Sequence, residues 1–334
     1  MPVDTRMPVK VIVTTTINRP TKAIEKFIDI AKRNGWIMVV VGDLKTPHED
    51  YFALQAKYEP GFFTYLSPEE QEQKFPALSR LIGWNCIQRR NFGLIFAKHV
   101  GADVVGVIDD DNIPDDDWGR DLVIMQPDQA IQIWETEQPV FDPISPFTWP
   151  WWHRGFPVQL LPERLNVTKN GKVRRKWLVQ ADLWNGDPDV DAIARITLAP
   201  TVNFEHTEPF AGNKVAPFNS QNTFIHGSVL KDYFLFPHIG RMDDIWAAYY
   251  LQSIHGLCVC FGRASVFQDR NEHNLAKDLE AELIGYKHSL DFVNALFGEG
   301  AGTDAWMKLL PEQSIIAFKE YQRVMSKDWD FGQE

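Results

Sequence analysis

The junction between an apolar run and a charge cluster constrains this chain most. Val104 to Ile108 passes without a break into Asp109, Asp110 and Asp111. A short, continuous apolar run fits a strand buried on both faces, and such strands belong to sheets covered by helices. Three adjacent carboxylates repel one another. At the end of a buried strand they need neutralising, and hard divalent cations that share carboxylate oxygens with substrate phosphates do this well. The junction therefore predicts Mn2+ or Mg2+ held beside a phosphorylated ligand. Positions two apart on an extended turn face the same side. Asp109 and Asp111 are thus the expected metal pair, and Asp110 is expected to point away, towards ribose or backbone.

The surrounding sequence repeats the strand-then-helix theme. Lys10 to Thr14 reads as a buried strand ending in the polar turn TTINRP. Thr21 to Asn34 places Ile24, Phe27, Ile28 and Ala31 on one helical face, and Gly35 stops it. Trp36 to Val41 predicts a second strand ending at Gly42-Asp43, and Tyr65-Leu66 a brief third. Ser67 caps a short helix with Pro68 at its first position, and a helix over Asn85 to His99 leads into the aspartate strand. The fold class is α/β, with a Rossmann-type, mostly parallel sheet flanked by helices. Ligands on such sheets bind beyond the carboxyl ends of strands. Thr15 and Asn18 of the first turn, Asp43 and the triplet should therefore converge there, with Thr15, Asn18 and Asp43 holding a nucleoside. Neither a P-loop nor a dinucleotide fingerprint is present.

From about residue 135 prolines and tryptophans crowd the chain. Residues 135–210 read as an inserted, acceptor-side segment, with a hairpin turning at Asn170-Gly171. The expected organisation is one catalytic domain over 1–280 and a helical C-terminal extension over 281–334, with Leu279, Leu283, Tyr286 and Leu290 along one face. The chain has 34 basic and 45 acidic residues, a net charge of −11, which argues against a nucleic-acid groove. Three cysteines make no disulfide framework. No apolar run is long enough to span a bilayer, and no signal peptide is legible, so a cytoplasmic location is expected.

Four further groups carry possible chemistry. Asp243 and Asp244 open the helix of GRMDDIWAAYYLQ, which reads as amphipathic. Asp244 is the expected general base, and Asp243 the cap or a ligand to a sugar hydroxyl. In QDRNEHN, Arg270 can meet a phosphate at a helix start and His273 can add a third metal ligand. Arg89 and Arg90 can pair with a diphosphate. Trp184, Asp187 and Asp189 mark the sugar and acceptor side.

Taken together these blocks resemble a GT-A-type glycosyltransferase. More narrowly they are similar to the reversibly glycosylated polypeptides (UDP-arabinopyranose mutases) and to STELLO-like glycosyltransferases. The STELLO likeness lies in NGWIMVVVGDLKTP, YLSPEEQ and RRNFGLIFAKHVGADVVGVIDDDN. The mutase likeness lies in IDDDN, HRGFPVQL, LWNGDPDVDA and RMDDIWAAY. The resemblance implies a nucleoside-diphosphate sugar donor, UDP-linked, a divalent metal on Asp109 and Asp111, and a glycan or other hydroxyl acceptor. It also singles out Arg154, which stands where the mutases carry the arginine that is reversibly glycosylated. The mutase pattern has a second arginine seven residues later, where this chain has Leu161, with Arg164 nearby. Two roles therefore stay open for Arg154, transient sugar acceptor or anion ligand. Four functions stay open with them: glycosyltransferase, nucleotide-sugar mutase, non-catalytic nucleotide-sugar-binding protein, and, behind these, metal-dependent phosphohydrolase.

Overall fold

The computed structural model describes residues 6–126, 128–205, 208–269, 274–298, 301 and 304–327. The strands are β1 (Lys10–Thr16), β2 (Trp36–Gly42), β3 (Phe63–Leu66), β4 (Val104–Ile108), β5 (Asn112–Pro114), β6 (Ala130–Glu135), β7 (Thr168–Arg174), β8 (Val179–Gly186), β9 (Phe210–Gly212), β10 (Asn222–His226) and β11 (Val259–Gln268). They form one mixed sheet in the order β3-β2-β1-β4-β10-β8-β11-β9-β6-β7, with β5 paired to β11. The first four strands are parallel, as the strand–helix alternation predicts. Beyond them the sheet is mixed. β10 lies antiparallel to both β4 and β8, and β8 and β11 are again parallel. The carboxyl ends of β1, β2 and β4 open on one edge, and the segment before β10 closes that edge from the other side.

Local chemistry sets the parallel half. Thr21 caps the helix Lys22–Asn34 by accepting from the Ile24 N–H, and Gly35 ends it in the left-handed region at φ 67°. That helix buries Ile24, Phe27, Ile28 and Ala31 against the sheet. Ser67 and Glu70 form a capping box for the helix Pro68–Lys74.

Four sequence expectations change. The helix before the aspartates does not begin at Asn85. Asn85 is left-handed (φ 58°) and Cys86 is extended, a 3-10 turn covers Ile87–Arg89, and the helix proper runs over Arg90–His99. The cause is Asp43, whose carboxylate accepts from the backbone N–H groups of Asn85 and Cys86 and draws them out of helical geometry. Asn170-Gly171 is no hairpin turn. It lies inside β7, at an irregularity between the Gln132–Lys172 and Trp134–Lys169 pairs with β6, where the Gln132 side chain donates to the Asn170 carbonyl. The helix Asp243–His255 is not amphipathic, since residues 243–252 are all buried, with Trp246 stacked on Phe292 at 4.4 Å. The helix Leu275–Phe297 crosses the expected boundary at residue 280. Its buried stripe is Glu282, Gly285, Ser289, Phe292, Val293 and Leu296, while Leu283 is exposed. Gly285 permits this: an added Cβ would lie 2.4 Å from the Met242 sulfur. Among the described residues no helix is long and apolar enough to cross a membrane.

Candidate functional site

Two cavities adjoin at the carboxyl ends of the parallel strands. One, of about 220 Å³, is lined by Thr15, Thr16, Ile17, Asn18, Asp43, Asn85, Cys86, Ile87 and Asp110. The other, of about 190 Å³, is lined by Asp109, Asp111, Arg154, Asp189, Ser220, Gln221, Arg241, Asp243, Asp244 and Gln268 among others. Ile87, 40% exposed, borders both and forms the partition. The triplet divides across this partition. Asp109 and Asp111 face the second cavity, here called the cleft. Asp110 faces the first, where it accepts from the Thr16 hydroxyl and from Asn18 Nδ2 at 3.0 Å.

The first cavity has a hydrogen-bonding wall that includes two carboxylates, Asp43 and Asp110. Thr15 Oγ1 donates to the Val41 carbonyl (2.8 Å), and the Asn18 carbonyl accepts from the Tyr51 hydroxyl (3.0 Å). The Asp43 carboxylate is already engaged by the N–H groups of Leu44, Asn85 and Cys86 at 2.6–3.0 Å. It shapes this pocket by holding the 85–86 turn, and its oxygens have little capacity left for a ligand. Burial pushes the Cys86 thiol up to about 11, which keeps it protonated and unreactive.

The cleft is acidic. Five aspartates line it, against Arg154 and Arg241. Arg90, behind it, donates to Asp109 Oδ1 (2.5 Å) and to the carbonyl and hydroxyl of Ser220 at 2.7 and 2.8 Å. Arg154 is buried between two carboxylates. Its Nε donates to Asp189 at 2.9 and 3.0 Å, and its two Nη atoms meet Asp244 at 3.0 Å each. Burial opposes the charge, but Asp189 and Asp244 outweigh it and hold the guanidinium well above its ordinary range. Asp244 also accepts from the Ser220 N–H (2.9 Å) and hydroxyl (3.2 Å). Asp243, its neighbour, has no such cation in contact. Burial, then the charge of Asp244, pushes it up to about 7, while Arg154 and a 2.8 Å hydrogen bond from Gln88 Nε2 pull it back.

These contacts set the two aspartates apart: Asp244 is engaged by Arg154 and Ser220, whereas Asp243 is bonded by Gln88 and pushed up by burial. Arg89 leaves the site altogether. It is buried, donates to Gln71, Ser79 and the Gly83 carbonyl, and lies 3.5 Å over the Trp84 ring, with burial lowering it to about 10. Arg90 meets a carboxylate and a loop, not a phosphate site. Trp184 is buried against His153, and Asp187 pairs with Arg195; neither borders these two cavities, and only Asp189 of that trio does. Arg164 is also buried and pairs with Asp142 at 3.0 Å. Arg270 and His273 lie outside the described residues.

Three participants escaped the sequence reading. Gln88 holds Asp243, Ile87 divides the cavities, and the Asn219-Ser220-Gln221 loop closes the cleft. The polar run NSQN between Phe218 and Phe224 was the available signal. Among the described residues no group of three His, Cys, Asp or Glu side chains gathers to hold a metal unaided. Asp109 and Asp111 on one cleft wall fit instead a hard dication bound by one or two carboxylates and completed by substrate phosphate.

No family model matches the chain, and no curated protein matches it. Among solved structures, the chain is similar to a mannosyltransferase from Pyrobaculum calidifontis in complex with GDP-Man and Mn2+, at 13% identity over 98% of this chain and 89% of that one, with a TM-score of 0.39. It is also similar to S. aureus TarS 1–349 in complex with UDP, at 11% identity over 95% and 90%, TM-score 0.39. At such scores the likenesses decide neither activity nor donor, and the functional reading rests on the two cavities.

Proposed function

We propose that this chain is a GT-A-like, metal-dependent glycosyltransferase that moves a sugar from a nucleoside-diphosphate sugar, UDP-linked, to a hydroxyl acceptor. The observation that carries the reading is the division of the aspartate triplet across Ile87. It sets one carboxylate of the triplet in a hydrogen-bonding pocket and the other two in an adjoining acidic cleft, an arrangement suited to a nucleoside joined to a metal-bound diphosphate. Thr15, Asn18 and Asp110 hold the nucleoside, and Asp43 holds the wall around it. Asp109 and Asp111 hold Mn2+ or Mg2+, which when bound offsets charge on the diphosphate leaving group. Arg90 fixes Asp109, and Arg154 fixes Asp189 and Asp244 against the Ser220 loop.

Asp243 supplies the base. In an inverting course its carboxylate takes the proton of the acceptor hydroxyl as that oxygen bonds the anomeric carbon. The bond from that carbon to the diphosphate breaks, and the nucleoside diphosphate leaves with the electron pair. A thermal-shift screen of UDP-, GDP- and dTDP-sugars with and without Mn2+ identifies the donor, because ligands stabilise the state that binds them. Asp109→Ala with Asp111→Ala should abolish both transfer and the metal-dependent part of UDP binding. Retention of both in that double variant would overturn the proposal.

The mutase reading requires Arg154 as a nucleophile. All three of its nitrogens already donate to Asp189, to Asp244 or to the Arg241 carbonyl, and its charge is strongly held. A protonated guanidinium has no lone pair to offer, so the geometry favours transfer over mutation.

A further inference from the structure

The short turn between the two cavities is connected at both ends. At one end the Asp43 carboxylate receives Asn85 N–H on Oδ1 (2.8 Å) and Cys86 N–H on Oδ2 (3.0 Å). These bonds force Asn85 into the left-handed region. At the other end Gln88, buried, donates to Asp243 Oδ2. Between them Ile87 lies in the wall of both cavities. Four residues thus span from a carboxylate at the nucleoside pocket to the acid of the cleft, with no flexible linker between.

We propose that Gln88 is the positioning residue for Asp243, and that the 85–88 turn makes its setting depend on the nucleoside pocket. This rests on the transferase reading for its catalytic meaning, though not for its geometry. Among the described residues Gln88 is the one neutral side chain that bonds the Asp243 carboxylate. The Asp244 backbone N–H also bonds that carboxylate, and the charged or titratable groups near it are Asp244 beside it, Arg154 and Tyr233 acting through charge, Arg241 two residues earlier, and Asp109 and Asp111 in the cleft lining. Gln88 fixes Oδ2 of a carboxylate that lines the cleft. A nucleoside seated against Asn85, Cys86 and Ile87 presses on the same turn.

The experiment reads Asp243 directly in metal-free, full-length protein. Carbon-13 carboxyl NMR of aspartate-labelled enzyme follows its titration, with Asp243→Asn assigning the signal. Gln88→Met keeps the volume and removes the donor. It should raise the Asp243 midpoint by about one pH unit, the worth of one hydrogen bond to a charged group. Gln88→Asn, too short to reach, should do the same and guards against a fold defect particular to methionine. Asp43→Asn can accept from only one of the two N–H groups, and should move the midpoint in the same direction by a smaller amount. An unmoved midpoint in both Gln88 variants overturns the positioning role. Movement in those variants with none in Asp43→Asn overturns the coupling. These outcomes do not depend on turnover. Failure of the transferase reading appears separately, as wild-type enzyme that transfers from no donor. Where transfer is measured, Gln88→Met should lower kcat and leave the donor KM in place.

Discussion

Replacing Arg154 tests the centre of the site. The side chain neutralises two buried carboxylates at once, and Arg154→Met leaves both Asp189 and Asp244 without it. Removing one partner of a buried pair costs about 3–5 kcal/mol, and two pairs treated separately would cost about twice that. Each carboxylate keeps other donors, however. Asp189 retains Asn219 Nδ2 at 2.9 Å and Arg241 at 3.9 Å, and Asp244 retains the Ser220 N–H and hydroxyl. The expected loss is therefore about 4 kcal/mol at neutral pH, read by urea denaturation. Arg154→Lys keeps a charge but not the paired fork, and should lose about half as much. The penalty also has a sign in pH. A buried carboxylate without a counter-ion binds a proton that the unfolded chain, with carboxyls near ~4, has released. The variant should therefore lose stability relative to wild type as pH rises, and recover it as pH falls. A Met variant within about 1 kcal/mol of wild type at neutral pH, or a penalty that grows in acid, would refute the reasoning.

Other expectations can be measured alongside it. Transfer should rise as pH passes through about 7 and Asp243 loses its proton, and Asp243→Asn should cost about a hundredfold or more in kcat. The same carboxyl, holding its proton to higher pH when folded than when unfolded, makes stability fall between roughly pH 4 and that point; denaturation of Asp243→Asn should lack this slope. Gly155 adopts φ 84°, and an added Cβ would meet the Ile245 Cγ2 at 2.2 Å, so Gly155→Ala should destabilise by about 2–4 kcal/mol through strain and overpacking. Intact-mass measurement after incubation with UDP-sugars should show no adduct, and one that disappears in Arg154→Lys would restore the mutase reading.

The parallel half of the fold was legible because periodicity, caps and strand-end charges agree there. Thr21, Gly35 and Ser67 each do locally what their residue type favours. The second half was less so, because its strands pair across long separations: β10 inserts between β4 and β8, and no local pattern encodes that. The aspartate triplet was readable down to Asp110 facing away from its neighbours, although residues 110–111 form a turn after the strand, not an extension of it. The different partners of Asp243 and Asp244 were not readable, because those of Asp244 include Arg154, 90 residues away. Arg89 and Arg90 show the same limit. Adjacent in sequence and alike in chemistry, they point to opposite sides of one helix start, the first into Gln71 and Ser79, the second into Asp109 and Ser220.

Glu282 carries one more consequence. Fully buried, it accepts from Arg241 Nε (2.8 Å), from the Ala192 N–H (2.7 Å) and from the Tyr286 hydroxyl (2.6 Å). A residue far along the chain thereby clamps the arginine that lines the cleft to the start of the helix Ala192–Leu198. During synthesis, the strands bearing the aspartates emerge well before this clamp exists. The cleft would reach its final geometry only when the Leu275–Phe297 helix arrives, so a segment made long after the aspartate strand decides when that strand's surroundings are complete.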